Sequence, residues 1–244
     1  MKSDLELKKV LFQIKYKPDL NYFSRFRNAA AELKSYADWQ TNDSSIVMID
    51  YAKHCNMIIA HNAISYDQDS KDPELYQTRI SEISSVLPGK LEINKTIFIG
   101  FRTKHLIHVL LSHDRIVSLL SKKFLTQDAD LKKIMPQKQT EMSYIVNYKE
   151  DAINYNITVG PLSKKEMPQY LDYNYKLHLL PSSLEREKLR MYDKYPDDAI
   201  YLDIDTYIND EIDCCNIEKN YELLRDINLK LVNSLQDYIC GDSK

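Results

Sequence analysis

The residues best placed to do chemistry lie in one phrase, Tyr201-Leu202-Asp203-Ile204-Asp205-Thr206-Tyr207. Read as a strand, it points alternate side chains to opposite faces. Ile200, Leu202, Ile204 and Ile208 then face a core, and Tyr201, Asp203, Asp205 and Tyr207 share the other side. Carboxylates two residues apart on a strand have Cα atoms about 6–7 Å apart. Such a pair can share a metal ion or a basic partner. A hydrolase or nuclease needs further carboxylates or histidines converging there, and the sequence identifies no converging set. A sheet-face pair with Arg or Lys is the plainer reading.

The other candidates are weaker. His105 and His108 share a face on a helix, where they could ligate a metal, but point oppositely on a strand. His113 and Asp114 follow in poor register with them. His54, His61 and His178 are isolated. The four cysteines are Cys55, Cys214, Cys215 and Cys240, and only the adjacent Cys214 and Cys215 are close in sequence. This is neither a C-x-x-C redox pair nor zinc-ligand spacing, so reduced thiols are expected. Cys215, near a helix start, is the one with a route to a lowered pKa. No G-x-S-x-G elbow exists. The four glycines, Gly89, Gly100, Gly160 and Gly241, are too scattered to build a nucleotide-binding loop. No cofactor and no resident metal are expected.

The net charge of −3 argues against a general nucleic-acid binder, which normally carries a basic excess. Lys122-Lys123, Lys132-Lys133 and Lys164-Lys165 are short and mixed with acids, as on a solvated surface. The start of the chain has no apolar signal region, and no run is long enough for a membrane helix. A cytoplasmic protein with no membrane partner is expected.

Periodicity supplies the elements that must position these groups. Val10 to Tyr16 reads as a strand, ended by Pro18. Leu20, Phe23, Phe26, Ala30, Leu33 and Ala37 recur at helical spacing behind a capping Asp19. Ile46–Tyr51 and Met57–Tyr66 read as strands. Asp72-Pro73-Glu74 opens a helix striped by Tyr76, Ile80, Ile83 and Leu87, and Pro88-Gly89 stops it. Leu91–Phe101 is the next strand. That order, β-α-β-β-α-β, is the ferredoxin-like pattern. In the second half, Leu106–Phe124 passes from strand to helix. Met142–Tyr148 and Ile153–Val159 form the best hairpin, ended by Gly160-Pro161. Residues 163–180 are irregular, Ser182-Ser183-Leu184-Glu185 caps a short helix, Ala199–Ile208 is a strand and Ile217–Tyr238 a long amphipathic helix. The expectation is an α+β protein: a ferredoxin-like module over 1–102, and a second module with a β-hairpin and long C-terminal helix over 103–244. With no Gly/Ser linker, the two pack into one body. They can be related as structural repeats, although they share no sequence similarity.

Two phrases resemble a sporadically distributed bacterial family of hypothetical proteins of similar length. Ile99-Gly100-Phe101-Arg102 is similar to the family's R-x-G-x-R-[YF]-x-N segment. Gly100 and Arg102 match, while Phe98 stands at the first Arg and His105 at the Asn. Leu202-Asp203-Ile204-Asp205 matches its L-D-x-D strand, followed by a long helix. The resemblance implies an architecture and a polar centre of Arg102, Asp203 and Asp205 meeting across neighbouring strands. It implies no reaction. By analogy, sporadic families of this kind point to mobile-element or phage-defence settings.

The reading is therefore a non-enzymatic interaction or regulatory protein whose partner is another protein. The alternatives are a metal-dependent hydrolase or nuclease using Asp203 and Asp205, and a nucleic-acid-binding module. The last needs aromatic residues on an open sheet face to stack bases, for which Phe12, Tyr16, Tyr51 and Tyr66 are the candidates.

Overall fold

The computed structural model describes residues 4–17, 21–32, 38–41, 45–50, 55–69, 73–125, 141–167, 170 and 196–241. The first half runs β1 (Asp4–Lys15), α1 (Tyr22–Glu32), β2 (Asp38–Thr41), β3 (Ser45–Asp50), β4 (Cys55–Ala60), β5 (Ala63–Gln68), α2 (Pro73–Ser85) and α3 (Leu87–Lys90). After the short β6 (Lys95–Thr96), the second half runs β7 (Phe98–His108), α4 (His113–Phe124), β8 (Tyr144–Glu150), β9 (Ile153–Ser163), β10 (Asp198–Ile208), β11 (Ile212–Asp213) and α5 (Ile217–Cys240). Nine strands form one antiparallel sheet in the order β2-β3-β4-β5-β1-β7-β10-β9-β8. β6 and β11 make a separate small ladder.

This order contains a repeat. The sequence of elements β1-α1-β3-β4-β5-α2 has its counterpart in β7-α4-β8-β9-β10-α5. In the sheet, β3-β4-β5-β1 is mirrored by β8-β9-β10-β7, and the halves meet where β1 pairs antiparallel with β7. A local two-fold between β1 and β7 therefore relates them, with β2 as an extra edge strand. The division after residue 102 falls inside the continuous strand β7.

Alternation explains the layers. One cross-strand row reads Met48, Met57, Tyr66, Phe12, Phe101, Thr206, Tyr155 and Tyr148. All but Tyr148, at the edge, are buried. Onto this face pack α1 through Ala29 and Ala30, α2 through Tyr76, Ile80 and Ile83, α4 through Ile116, Val117 and Leu120, and α5 through Tyr221, Leu224 and Val232. Their burial in two contiguous clusters supplies the main folding drive, at roughly 25 cal/mol per Å² of apolar surface.

Several details differ from the pattern reading, among them α3, which runs through Pro88-Gly89 where that pair is expected to stop the helix. Met57–Tyr66 is the β4–β5 hairpin, turning at His61-Asn62 inside an otherwise uninterrupted apolar alternation. Four strands, β2 to β5, therefore lie between α1 and α2, where the ferredoxin-like pattern has two. Leu91 and Glu92 form a turn, Glu92 with φ +54°, so the strand there begins only at Lys95. β7 runs on to His108 before α4 starts. Pro161 does not end β9. Beyond Val159, which pairs with Tyr144 at the start of β8, β9 has a neighbour only in β10. Proline is tolerated on such an edge. Finally α5 extends to Cys240. The capping roles read for Asp19 and Asp72, the helical positions Leu33 and Ala37, and Tyr51, His54, Lys132-Lys133, His178 and the Ser182–Glu185 helix lie outside the described residues.

α5 is locked to the sheet by polar bonds as well as packing. Asn228, fully buried, accepts from Thr103 Oγ1 at 2.6 Å and donates Nδ2 to the Ile204 carbonyl at 2.9 Å. Thr206 Oγ1 donates to the Phe101 carbonyl at 3.0 Å, with the Leu224 carbonyl of α5 at 3.2 Å. Asn228→Leu should destabilise the fold by about 2–3 kcal/mol in urea denaturation, because it orphans the Thr103 hydroxyl and a helix-facing carbonyl. Adding Thr103→Val should recover part of that loss.

Candidate functional site

The face opposite the helices carries a different row: Asn56, Asp67, Leu11, Arg102, Asp205, Asn156 and Asn147. Six of these seven cross-strand neighbours are polar. The β10 alternation is as the phrase implies, with Ile200, Leu202, Ile204 and Ile208 in the core and Asp203 and Asp205 on the outer face.

Arg102 and Asp203 form a bidentate pair. Arg102 Nε donates to Asp203 Oδ1 and Nη2 to Oδ2, both at 2.6 Å. The contact is diagonal, since the register sets Asp205 opposite Arg102 and Asp203 opposite Lys104. A long arginine reaches a diagonal neighbour easily. The fork-on-carboxylate geometry is the strong form of a charged hydrogen bond, and it raises the Arg102 pKa. Asp205 has no hydrogen bond of this kind. Burial pushes its carboxyl up to about 6, against the pull of Arg102.

The structure adds cations that spacing did not reveal. Lys9 sits opposite Lys104 on the outer face, in the register that also sets Leu11 opposite Arg102; a bulge at Lys8 shifts only the start of β1, so that Leu7 pairs with His105. Lys9 is 1% exposed and pairs with Asp67 at 3.1 Å and Asp69 at 3.3 Å. Lys104 donates to the Tyr170 carbonyl at 2.8 Å, while Asp203 Oδ2 lies 3.9 Å away. Desolvation, reinforced by Arg102 and Lys9, lowers the Lys104 pKa.

Over these groups lies a pocket of about 640 Å³. Lys9, Leu11, Arg102, Lys104 and Asp203 form its floor, and Glu141, Glu166, Tyr170 and Tyr201 stand in its walls. Met167 and Tyr170 pack with Leu106 and Tyr201, closing one end. The Tyr170 and Tyr201 ring centroids are 4.4 Å apart, and Lys104 Nζ lies 5.4 Å from the Tyr170 ring. Tyr201 lies flat across the strand because its cross-strand partner is Gly160. A Cβ there would come within 2.7 Å of the Tyr201 ring.

The remaining candidates do not join this centre. On strand β7 His105 and His108 diverge. His105 is buried on the helix side, where desolvation lowers its pKa to about 4. His108 pairs with Glu6 at 2.7 Å. His113 contacts Glu141 and Asp198 at the start of α4, and His61 lies in the β4–β5 turn. Among the described residues no group of three or more His, Cys, Asp or Glu is disposed to hold a metal. All four cysteines are free thiols, and burial pushes Cys214 up to about 11. Of the aromatic residues considered for base stacking, Phe12, Tyr16 and Tyr66 are buried in the helix-side core. Arg102, Asp203 and Asp205 were visible from sequence. Lys9, Lys104 and Tyr170 were not, because the β1–β7 register and a chain crossing bring them together.

The arrangement can hold charge and can present donors and aromatic rims to a ligand. The two aspartates should respond oppositely to substitution. Asp203→Asn should cost about 2–4 kcal/mol, since it leaves Arg102 and Lys104 poorly compensated. Asp205→Asn should raise stability above pH 6 by about 2–3 kcal/mol, the equivalent of its pKa elevation. The sign follows from a folded pKa above the unfolded one: the aspartate is accommodated below pH 4 and becomes a burden as pH rises through 6. Melting curves at pH 4 and pH 7.5 should show the Asp205→Asn gain only at the higher pH.

No protein-family model and no curated protein matches the chain, so the site is interpreted from its own geometry.

Proposed function

We propose that this chain is a non-enzymatic interaction protein, regulatory in role, that holds another protein on the outer face of its sheet. The observation that carries this reading is the polar row from Asn56 to Asn147, which crosses seven adjacent strands opposite the helix layer. Antiparallel sheets commonly leave one face in water, so polarity alone decides nothing. The residue types decide more. Arg102, Tyr201, Tyr207 and Phe98 share this face, with the Phe98 and Tyr207 rings stacked at 5.5 Å. Arginine and tyrosine are the residues that most often anchor protein interfaces.

The hydrolase alternative has less support. Both oxygens of Asp203 accept from Arg102, and a cation would have to displace that guanidinium. The nucleic-acid alternative needs unpaired cations and stacking rings, whereas Arg102 and Lys9 are paired to carboxylates. A mobile-element or phage-defence setting is proposed on the resemblance alone.

The test is co-purification after cross-linking in the native host. The wild-type chain should recover one protein partner in near-stoichiometric amount. Asn147→Arg with Asn156→Arg should reduce recovery by about tenfold or more without changing the melting temperature. Lys122→Glu, an exposed position on the helix face of the molecule, should retain the partner. Equal recovery by the outer-face variant, or recovery of nucleic acid instead, would overturn the proposal.

A further inference from the structure

We infer that the pocket over Lys104 is a carboxylate subsite, which takes an acidic side chain of the docked protein. The inference deepens the docking reading and rests on it for the carrier of the carboxylate.

Asp203 gives both oxygens to Arg102 at 2.6 Å. Lys9 is held between Asp67 and Asp69. The wall carboxylates are turned to other partners. Glu141 is bonded by His113 Nε2 at 3.2 Å, and Glu166 accepts from Ser163 N at 3.0 Å and Oγ at 2.6 Å. That leaves Lys104, whose side chain is 10% exposed. Its short bond goes to a neutral carbonyl, Tyr170 O. The carboxylate oxygen beside it, Asp203 Oδ2, lies beyond hydrogen-bond length and is already engaged. Lys9 faces it across the β1–β7 ladder, and Arg102 lies two residues away on its own strand. Desolvation lowers the Lys104 pKa against the pull of Asp203, and Arg102 and Lys9 lower it further, so this ammonium is only partly compensated.

An incoming carboxylate would supply what the fold withholds. The pocket volume of about 640 Å³ admits an acidic side chain with its backbone. The Tyr170 and Tyr201 rings offer apolar surface for its methylenes. The Arg102 side chain, still 42% exposed, can donate from its free edge. Asp205, outside the pocket lining, adds negative charge on the far side of Arg102 and tempers the affinity.

The experiment follows Lys104 itself by NMR of protein with carbon-labelled lysine, assigned through Lys104→Arg. The probes are hexaglutamate and sodium succinate, against sodium chloride at matched ionic strength. Hexaglutamate should shift the Lys104 Cε resonance saturably and raise its titration midpoint by about one unit, a tenfold linkage. Succinate should need about tenfold more. Lys104→Met, which removes a desolvated charge, should fold normally and no longer bind hexaglutamate by calorimetry, and Lys104→Arg should keep binding it. No saturable shift with either probe, or undiminished calorimetric binding of hexaglutamate by Lys104→Met, would overturn the subsite. Succinate binding as tightly as hexaglutamate would overturn a protein side chain as the carrier. Failure here with partner loss still seen in the Asn147→Arg, Asn156→Arg variant would reject the subsite and leave the docking face standing.

Discussion

The whole architecture depends on the antiparallel ladder between β1 and β7. It is the only ladder among the described residues that joins the two repeated halves into one sheet. Each half taken alone would expose the edge of its longest central strand, and an unpaired edge of that kind is a template for aggregation. Pairing them removes both edges at once. It also aligns the two outer faces, so that Leu11 stands beside Arg102 and Lys9 beside Lys104. The polar centre is thus a product of the junction and belongs to neither half.

Placing charge at that junction is expensive in desolvation, and the structure offsets the cost by geometry. Arg102 uses its fork on one carboxylate, and Lys9 is shared between two. Buried ion pairs of this quality roughly break even against apolar packing. Their value lies in register. A strand slip of one residue would turn Arg102 and Lys104 into the core and Phe101 and Thr103 outward. The charges therefore reinforce the register that the buried apolar rows already set.

How much of this could be read from residues depended on the range of the signal. Local alternation displayed the two faces of β10, the β8–β9 hairpin and the stripe of α5, because each repeats within a few residues. The pairing of Arg102 with Asp203 was foreseeable because both sit in distinctive phrases on strands that could neighbour. The His61-Asn62 turn was hidden, since the apolar alternation on either side of it runs on without a glycine or proline. The Lys9–Lys104 juxtaposition was hidden more deeply. It follows only from the pairing of β1 with β7 that sets Leu11 opposite Arg102, a register that the alternation within either strand does not state. Tyr170 could not be placed either, because its contacts with Lys104 and Tyr201 cross elements with no shared periodicity.

The strand order has a consequence for the order of synthesis. β7 is central and nearly continuous in buried residues, yet one of its two neighbours, β10, comes from about a hundred positions later: Arg102 and its partner Asp203 are 101 residues apart. At ribosomal elongation rates that interval lasts about 5–20 s. During it β1 can dock on β7 from one side, while the other side stays an open, apolar border. β8 and β9 emerge in the meantime as a hairpin that cannot join the sheet without β10 between them. The nascent chain therefore spends seconds as a sheet with an unfinished margin. The margin it leaves open is the β10-facing edge of β7, which the rest of the chain must close.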